Sequence, residues 1–353
     1  MLVGVLAIGV GGCTGRSDQF TSSTPRSLVE PAPPTTELSS ADGPSRSRAA
    51  YVYEVIDAVE AHAFYASRID FDAWRSKIGK LDAAEPITFF ESLQLVGQLI
   101  VELGDHHSER LSSGEWGALE HKAASDTLPG PAPAGEVDAM GVGYLNLPSV
   151  SADDGSGSYN DYVTAARDVL KDQSCGWIVD LRNDHGGSIP PMLAAVAPLL
   201  GPGVFIGERH RDGQTSGFQI SPTGKVIAVD DVERTMSPTT IPGADGDGDG
   251  KPVAVLTGPD TASAGEAIVI AFTGRPTTRS FGAMTFGAPT GNSGFPLTDG
   301  SLLVLTTTIG VDRNHHTYES GIIPDSPIVS SSGDDQVRAA AQAWIKSQSA
   351  CNQ

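Results

Sequence analysis

The chain is short of cationic residues. Only 23 of its 353 residues are Lys or Arg, against 43 Asp or Glu, which leaves a formal net charge of −20. No surplus of positive side chains exists to neutralise phosphates, so the balance argues against a nucleic-acid partner. Cysteine is also scarce. Cys13, Cys175 and Cys351 form no CxxC pair and no Cys/His pattern at zinc spacing. A metal site is therefore not expected. What is abundant is Gly (41) and Pro (24), which predicts many turns. A hydrophobic content of 39% is enough for one large domain or two modest ones with a sizeable core.

Residues 1–12 are small and apolar and run directly into Cys13. This stretch is too short to span a bilayer, which takes about 20 residues. It resembles the lipobox of bacterial lipoprotein signals, in which the Cys is lipidated and becomes the first mature residue. No Lys or Arg precedes the apolar run, as a signal peptide should have. A start site assigned too far downstream would account for that. The competing reading is a buried N-terminal strand with a chance Cys. Residues 14–48 are rich in Ser, Thr and Pro and read as a flexible tether. If Cys13 carries lipid, Cys175 and Cys351 remain. In an exported protein they are either a disulfide pinning the last helix to a sheet or two free thiols.

From residue 49 to 111 the pattern turns helical, with Val52, Val55, Ile56, Val59 and Ala63 at helical spacing. A small helical N-terminal subdomain is predicted, its last helix ending at Gly104. Residues 112–136 read as a loop opening an α/β catalytic domain that runs to 353. Strands are predicted over 140–147, 177–181, 253–257 and 301–308, and helices over 161–171, 190–200 and 264–272. That alternation argues an α/β layer fold.

Two turns carry candidate chemistry. In Leu256–Glu266 (LTGPDTASAGE) an apolar strand stops, a Gly-Pro turn follows, and Ser263 sits among small residues before an apolar helix. A hydroxyl at a helix N-terminus, beside unused backbone N–H groups, is what an acyl-transfer nucleophile requires. Taken locally, Ser263 or Thr261 as a plain helix cap is the better explanation of the pattern. In Trp177–Ser188 (WIVDLRNDHGGS) a buried strand enters a turn with Gly186 and Gly187, whose backbone can approach a ligand closely.

Together these turns resemble the tail-specific (C-terminal processing) serine protease family. Its pattern DLRxNxGG followed by VLTxxxTASAGE is met here by DLRNDHGG and VLTGPDTASAGE, with Asp184 where the family has Asn. RSFGAMTFGAPTGN (279–292) and YESGIIPD (318–325) match two further family segments in order. The resemblance implies an α/β Clp-protease/crotonase-like core and Ser263 as nucleophile. The oxyanion donors it implies are backbone N–H groups of Ala264 and of Gly186 or Gly187.

In the processing branch a Lys serves as base, but Ala288 stands at its position. The branch that includes the tricorn core and the interphotoreceptor retinoid-binding proteins uses a His in a GDxHS-like segment, oriented by a Glu. The segment Gly104-Asp105-His106-His107-Ser108 and Glu319 fit that description. The expected triad is Ser263, His107 and Glu319, with His106 as rival base and Asp105 as a turn cap or support for the His loop. His185 could line the cleft, and His315 and His316 read as surface loop residues. About thirty residues separate Ser108 from the strand at 140, too few for a peptide-binding PDZ domain of at least about 50 residues. The DGDGDG run (245–250) opens like an EF-hand loop, but its twelfth position is Leu256, so it reads as an acidic turn.

The expected function is hydrolysis of peptide bonds at the outer face of a bacterial membrane. No cofactor is implied, the partner is a peptide or protein substrate, and membrane contact runs through the lipid anchor alone. The alternatives are a non-catalytic carrier of apolar ligands and an esterase or amidase using the same triad.

Overall fold

The computed structural model describes residues 47–118, 131–151, 157–203, 205–229, 250–328 and 335–351. Cys13, residues 14–46 of the expected tether, and positions 245–249 of the acidic run lie outside the described residues.

Three helices open the described chain: α1 (Arg48–His62), α2 (Phe71–Ala84) and α3 (Phe89–Leu103). Each starts on a polar side chain that accepts a first-turn N–H: Ser47, Asp70 and Thr88. Thr88 and Glu91 complete a reciprocal capping box. Gly104 ends α3 in the left-handed conformation, φ 67°, as the sequence predicts. The helical stretch stops earlier than expected. Residues Glu109–Leu111 are a strand, β1, because they pair antiparallel with the long strand β11 (Leu302–Val311). The helices do not close a core of their own either. Val52, Ile56 and Leu99 pack with Leu303, Leu305 and Ile309 of β11.

The rest is built on two sheets. One has the order β2 (Ala134–Val137), β3 (Val142–Asn146), β4 (Gly176–Asp180), β8 (Val253–Thr257), β9 (Thr278–Gly282) and β13 (Ser326–Pro327). All neighbours run parallel except β2 against β3. Both central strands, β4 and β8, are buried at every residue, as parallel strands covered on two faces must be. Helices α4 (Gly157–Leu170), α5 (Ile189–Leu200) and α6 (Ala264–Phe272) share one apolar cluster with this sheet. Helix α7 (Gln336–Lys346) packs Val337, Ala341 and Ile345 with Ile178, Ala254 and Leu256 of β4 and β8. Cys175 and Cys351 are joined as a disulfide, Cα–Cα 4.9 Å, which ties the end of α7 to the start of β4.

The second sheet is antiparallel, and the sequence pattern does not announce it. It contains β1, β11, β5 (Phe205–His210), β6 (Thr215–Ile220) and β7 (Val226–Val229), with β10 (Thr290–Pro296) and β12 (Thr317–Tyr318) also on β11. β11 continues three residues past its expected end at Thr308, because Ile309 and Val311 are still buried in register with β5. Among the described residues no helix is long and apolar enough to cross a membrane.

Candidate active site

The two turns singled out in sequence meet at the C-terminal ends of β4 and β8. Ser263 is the residue before α6, and its backbone is held at φ 52°, ψ −115°, a conformation that non-glycine residues rarely adopt. Neighbouring groups impose it. Thr261 Oγ1 donates to Leu181 O (2.8 Å) and accepts from Gly258 N–H (3.0 Å), while Ala262 N–H donates to Asp184 O (2.9 Å). From within the helix, Glu266 reaches back and accepts the Ser263 N–H at 3.0 Å. Strain over-determined by such contacts is characteristic of functional turns.

Glu266 is itself fully buried and accepts three further bonds, from Thr285 Oγ1 (2.6 Å), Gly287 N–H (3.0 Å) and Ala288 N–H (2.8 Å). Burial raises its pKa, and those hydrogen bonds oppose the rise. One carboxyl group thus fastens the segment around Ala288 to the serine turn.

The Gly-Gly turn lies directly against the serine. A Cβ on Gly186 (φ 101°) would sit 2.8 Å from Ser263 Cβ, and one on Gly187 (φ 126°) would sit 2.0 Å from Val150 O. Only glycine fits there. The two glycines are not equivalent as donors. Gly186 N–H donates to Asp184 Oδ1 at 2.9 Å. Gly187, in contrast, lines a cavity of about 180 Å³ together with Ser263 and Ala264. Ala264 begins α6, so its N–H has no acceptor within the helix.

Asp184, the residue that departs from the family pattern, is completely buried beneath this turn. Its Oδ1 also lies 3.4 Å from the Ser149 hydroxyl, and its Oδ2 has no hydrogen-bond partner among the described residues. Desolvation pushes its pKa up to about 7, against the smaller opposing effect of the Gly186 and Ser149 hydrogen bonds.

The two candidate bases differ sharply. His106 is exposed, edge-on to Phe286 with ring centroids 5.9 Å apart. His107 is buried, with its Nδ1 2.8 Å from Thr290 Oγ1. Thr290 lines the same cavity as Ser263. The His107 Nε2 is buried with no hydrogen-bond partner among the described residues. Desolvation holds the imidazole below its ordinary pKa, outweighing the charge of Asp105 and a hydrogen bond to Thr290. Asp105 organises the loop: its carboxylate accepts the His107 N–H (2.9 Å), the Ser108 N–H (2.6 Å), the Ser108 hydroxyl (2.9 Å) and the Thr306 hydroxyl (3.1 Å). These bonds tie the His loop to β11.

Glu319 does not join them. Its carboxylate is half exposed, lies 3.7 Å from Arg68, and makes no hydrogen bond or ion pair with His107. β12 pairs with the outer end of β11, and the chain beyond it carries Glu319 toward Arg68 near the N-terminal helices. The structure thus does not bring the expected third member of the triad to the imidazole; the atom that meets His107 Nδ1 is the Thr290 hydroxyl. His185 is exposed beside the Gly-Gly turn, and its N–H donates to Ser149 Oγ (2.7 Å). His315 and His316 are exposed. Among the described residues no group of three or more His, Cys, Asp or Glu is placed to hold a metal ion. The positions of Thr290 and Glu208, a further wall residue of the cavity, carry no local sequence signal, since each is set by chain segments distant in sequence. Glu266 has a local one, the Ser-x-x-Glu capping pattern with Ser263, but its bonds to Thr285, Gly287 and Ala288 do not show in it.

Residues 141–328, more than half of the chain, match Peptidase family S41. The chain is 28% identical over 210 residues to a nisin-resistance protein of Lactococcus lactis subsp. lactis, covering 58% of this chain and 60% of that protein. It is 27% identical over 188 residues to a carboxyl-terminal-processing protease of Synechocystis sp. (strain ATCC 27184 / PCC 6803 / Kazusa), covering 53% and 38%. Thus it spans less than two thirds of the length of either relative. Among solved structures, a lipoprotein from Streptococcus agalactiae superposes with TM-score 0.62 and 26% identity, over 86% of this chain and 97% of that one. The photosystem II D1 C-terminal processing protease superposes with TM-score 0.55 and 14% identity, over 87% and 99%, which supports the Clp-protease-like core. The chain belongs to peptidase family S41, a family of serine hydrolases.

Proposed function

We propose that this protein hydrolyses peptide bonds with Ser263 as nucleophile and His107 as general base. The observation that carries the reading is the shared cavity. Ser263 lines it at the strained tip of α6, and Thr290 lines it while holding the buried imidazole of His107. With Nδ1–H donated to Thr290, Nε2 is the lone-pair nitrogen, and its depressed pKa keeps it unprotonated at neutral pH. Nε2 takes the Ser263 proton as Oγ attacks the substrate carbonyl, then returns it to the leaving amine. A water deprotonated by the same nitrogen releases the acyl group. The N–H groups of Ala264 and Gly187 are the proposed oxyanion donors, and loss of one such donor typically costs about 3 kcal/mol. No hydrogen bond joins the imidazole to Ser263 in the free enzyme, where such contacts are often loose until substrate binds.

The test is labelling by a fluorophosphonate. Wild-type protein should be labelled at Ser263, Ser263→Ala should not, and His107→Ala should label at least about a hundredfold more slowly. Wild-type protein that takes no label would refute the peptidase reading and favour a carrier of apolar ligands. A panel of peptides, esters and cell-wall amides then distinguishes peptidase from esterase or amidase.

We also propose anchoring through a lipidated Cys13, which puts the folded part outside the cell. The lipoprotein likeness supports it, and so does the Cys175–Cys351 disulfide, since such bonds persist in oxidising compartments. Mass spectrometry of the N-terminal peptide from membranes tests it.

A further inference from the structure

The cavity beside Ser263 is mostly apolar. Ile206 and Phe218 of the antiparallel sheet face Ala267 and Ile270 of α6 across it. At about 180 Å³ it is slightly larger than an engineered 150 Å³ core cavity that admits benzene, so it has room for one substrate side chain. One lining residue breaks the pattern. Glu208, on β5, faces this space between Gly310 of β11 and Ser216 of β6. Its Oε1 lies where a Cβ on Gly291 would come within 2.8 Å, so the glycine leaves the carboxylate its place. Glu208 retains some surface along the cavity wall, yet its carboxyl lies deep in the protein. Burial pushes the Glu208 pKa up to about 7. Among the described residues nothing pairs with it. On the adjacent strand β11, opposite His210, Thr308 Oγ1 is buried without a hydrogen-bond partner among the described residues. The neighbouring His210, two residues along the same strand face, bonds Ser216 Oγ (2.8 Å).

A carboxylic acid at the wall of an otherwise apolar cavity is costly unless it meets a counter-charge. Its natural complement is a side chain with an apolar stem and a cationic head. We infer that Glu208 determines specificity, making this cavity the subsite for a Lys or Arg side chain flanking the scissile bond of the substrate. The inference rests on the peptidase reading above and names its substrate class. The stem lies along Ile206, Phe218 and Ile270, and the ammonium or guanidinium supplies the missing charge, which draws the carboxyl into its ionised form. The net charge of −20 favours the same substrates, because it raises the local concentration of cationic peptides.

The experiment uses fluorogenic peptides identical except for one residue, Lys, norleucine or Glu, scanned over the two positions flanking the cleaved bond. Norleucine keeps the stem and lacks the charge. At one position the wild-type enzyme should favour Lys over norleucine by about tenfold or more in kcat/KM, since desolvated charge pairs are among the stronger contacts at interfaces. In Glu208→Gln that ratio should fall to within about threefold. In Glu208→Lys the Glu peptide should become better than the Lys peptide. Fluorophosphonate labelling of Ser263 in each variant reports that the site is folded. Equal cleavage of Lys and norleucine peptides by wild type, or a Lys preference that survives in Glu208→Gln, overturns the inference while Ser263 labelling leaves the peptidase reading standing. Loss of labelling in the wild type overturns the peptidase reading, and the substrate class falls with it.

Discussion

Replacing Asp184 by Asn should stabilise the protein, and only above mildly acidic pH. Asp184 is fully buried, with one oxygen bonded to Gly186 N–H and the other unpartnered among the described residues. Its pKa rises from an ordinary 3.8 to about 7 on folding. A raised acid pKa favours the native state below the unfolded pKa, and that advantage is lost as pH climbs through the folded value. Between pH 4 and 7 the native protein holds a proton the unfolded chain has released, so stability falls by about 1.4 kcal/mol per pH unit. Above pH 7 the penalty levels off at about 4 kcal/mol, the product of roughly three units and that slope. Asn keeps the acceptor for Gly186 and cannot ionise. With roughly 2 °C per kcal/mol for a chain of this size, the variant should melt about 8 °C above wild type at pH 8. At pH 4 the two should agree within about 2 °C. Differential scanning calorimetry across this range is the assay. A melting difference that does not change between pH 4 and pH 8 would refute the assignment of a buried, proton-holding carboxyl.

Three further substitutions probe other parts of the site and scaffold. Thr290→Val removes the partner of His107 Nδ1, which should cost about 1–3 kcal/mol, or roughly 5- to 150-fold in kcat with little change in KM, whereas Glu319→Gln, which meets Arg68 and Tyr65 rather than the imidazole, should change kcat less than about threefold. Equal losses in both would return Glu319 to the catalytic group. Gly187→Ala drives a methyl to 2.0 Å from Val150 O at φ 126°, so peptide cleavage should fall by at least about a hundredfold; activity near wild type would remove this turn from the mechanism. Cys175→Ser opens the link between α7 and β4, with an expected loss of about 2–5 kcal/mol in denaturant unfolding, and an unchanged midpoint would assign the last helix's docking to Val337, Ala341 and Ile345 alone.

Elements with local signals are legible in the amino-acid sequence. The strand Val253–Thr257 and helix Ala264–Phe272 fall at their expected bounds, because an unbroken apolar run, a Gly-Pro turn and a second apolar run sit side by side. Gly104 ends its helix in the left-handed conformation for a reason equally local, the lack of a Cβ. The antiparallel sheet is not legible in the same way, because its strands carry weak patterns. Thr215–Ile220 and Thr290–Pro296 are interrupted by glycine, and their pairing with other segments has no local marker. Among site residues, the sequence points to Ser263, to the Gly-Gly turn and to one of two adjacent histidines. It does not separate His106 from His107, since only packing against β10 and β11 buries one ring and exposes the other.

The sequence by itself determined a serine at a strand-to-helix turn and a second turn with paired glycines, because both depend on backbone conformations that neighbouring residues dictate. Tertiary structure alone decided the partner of the imidazole, which of Gly186 and Gly187 lines the cavity, and the acid in the cavity wall. Thr290 meets His107 across a sequence separation of 183 residues, and Glu208 reaches the cavity of Ser263 from another strand. Those distances exist only once two sheets have packed around α6.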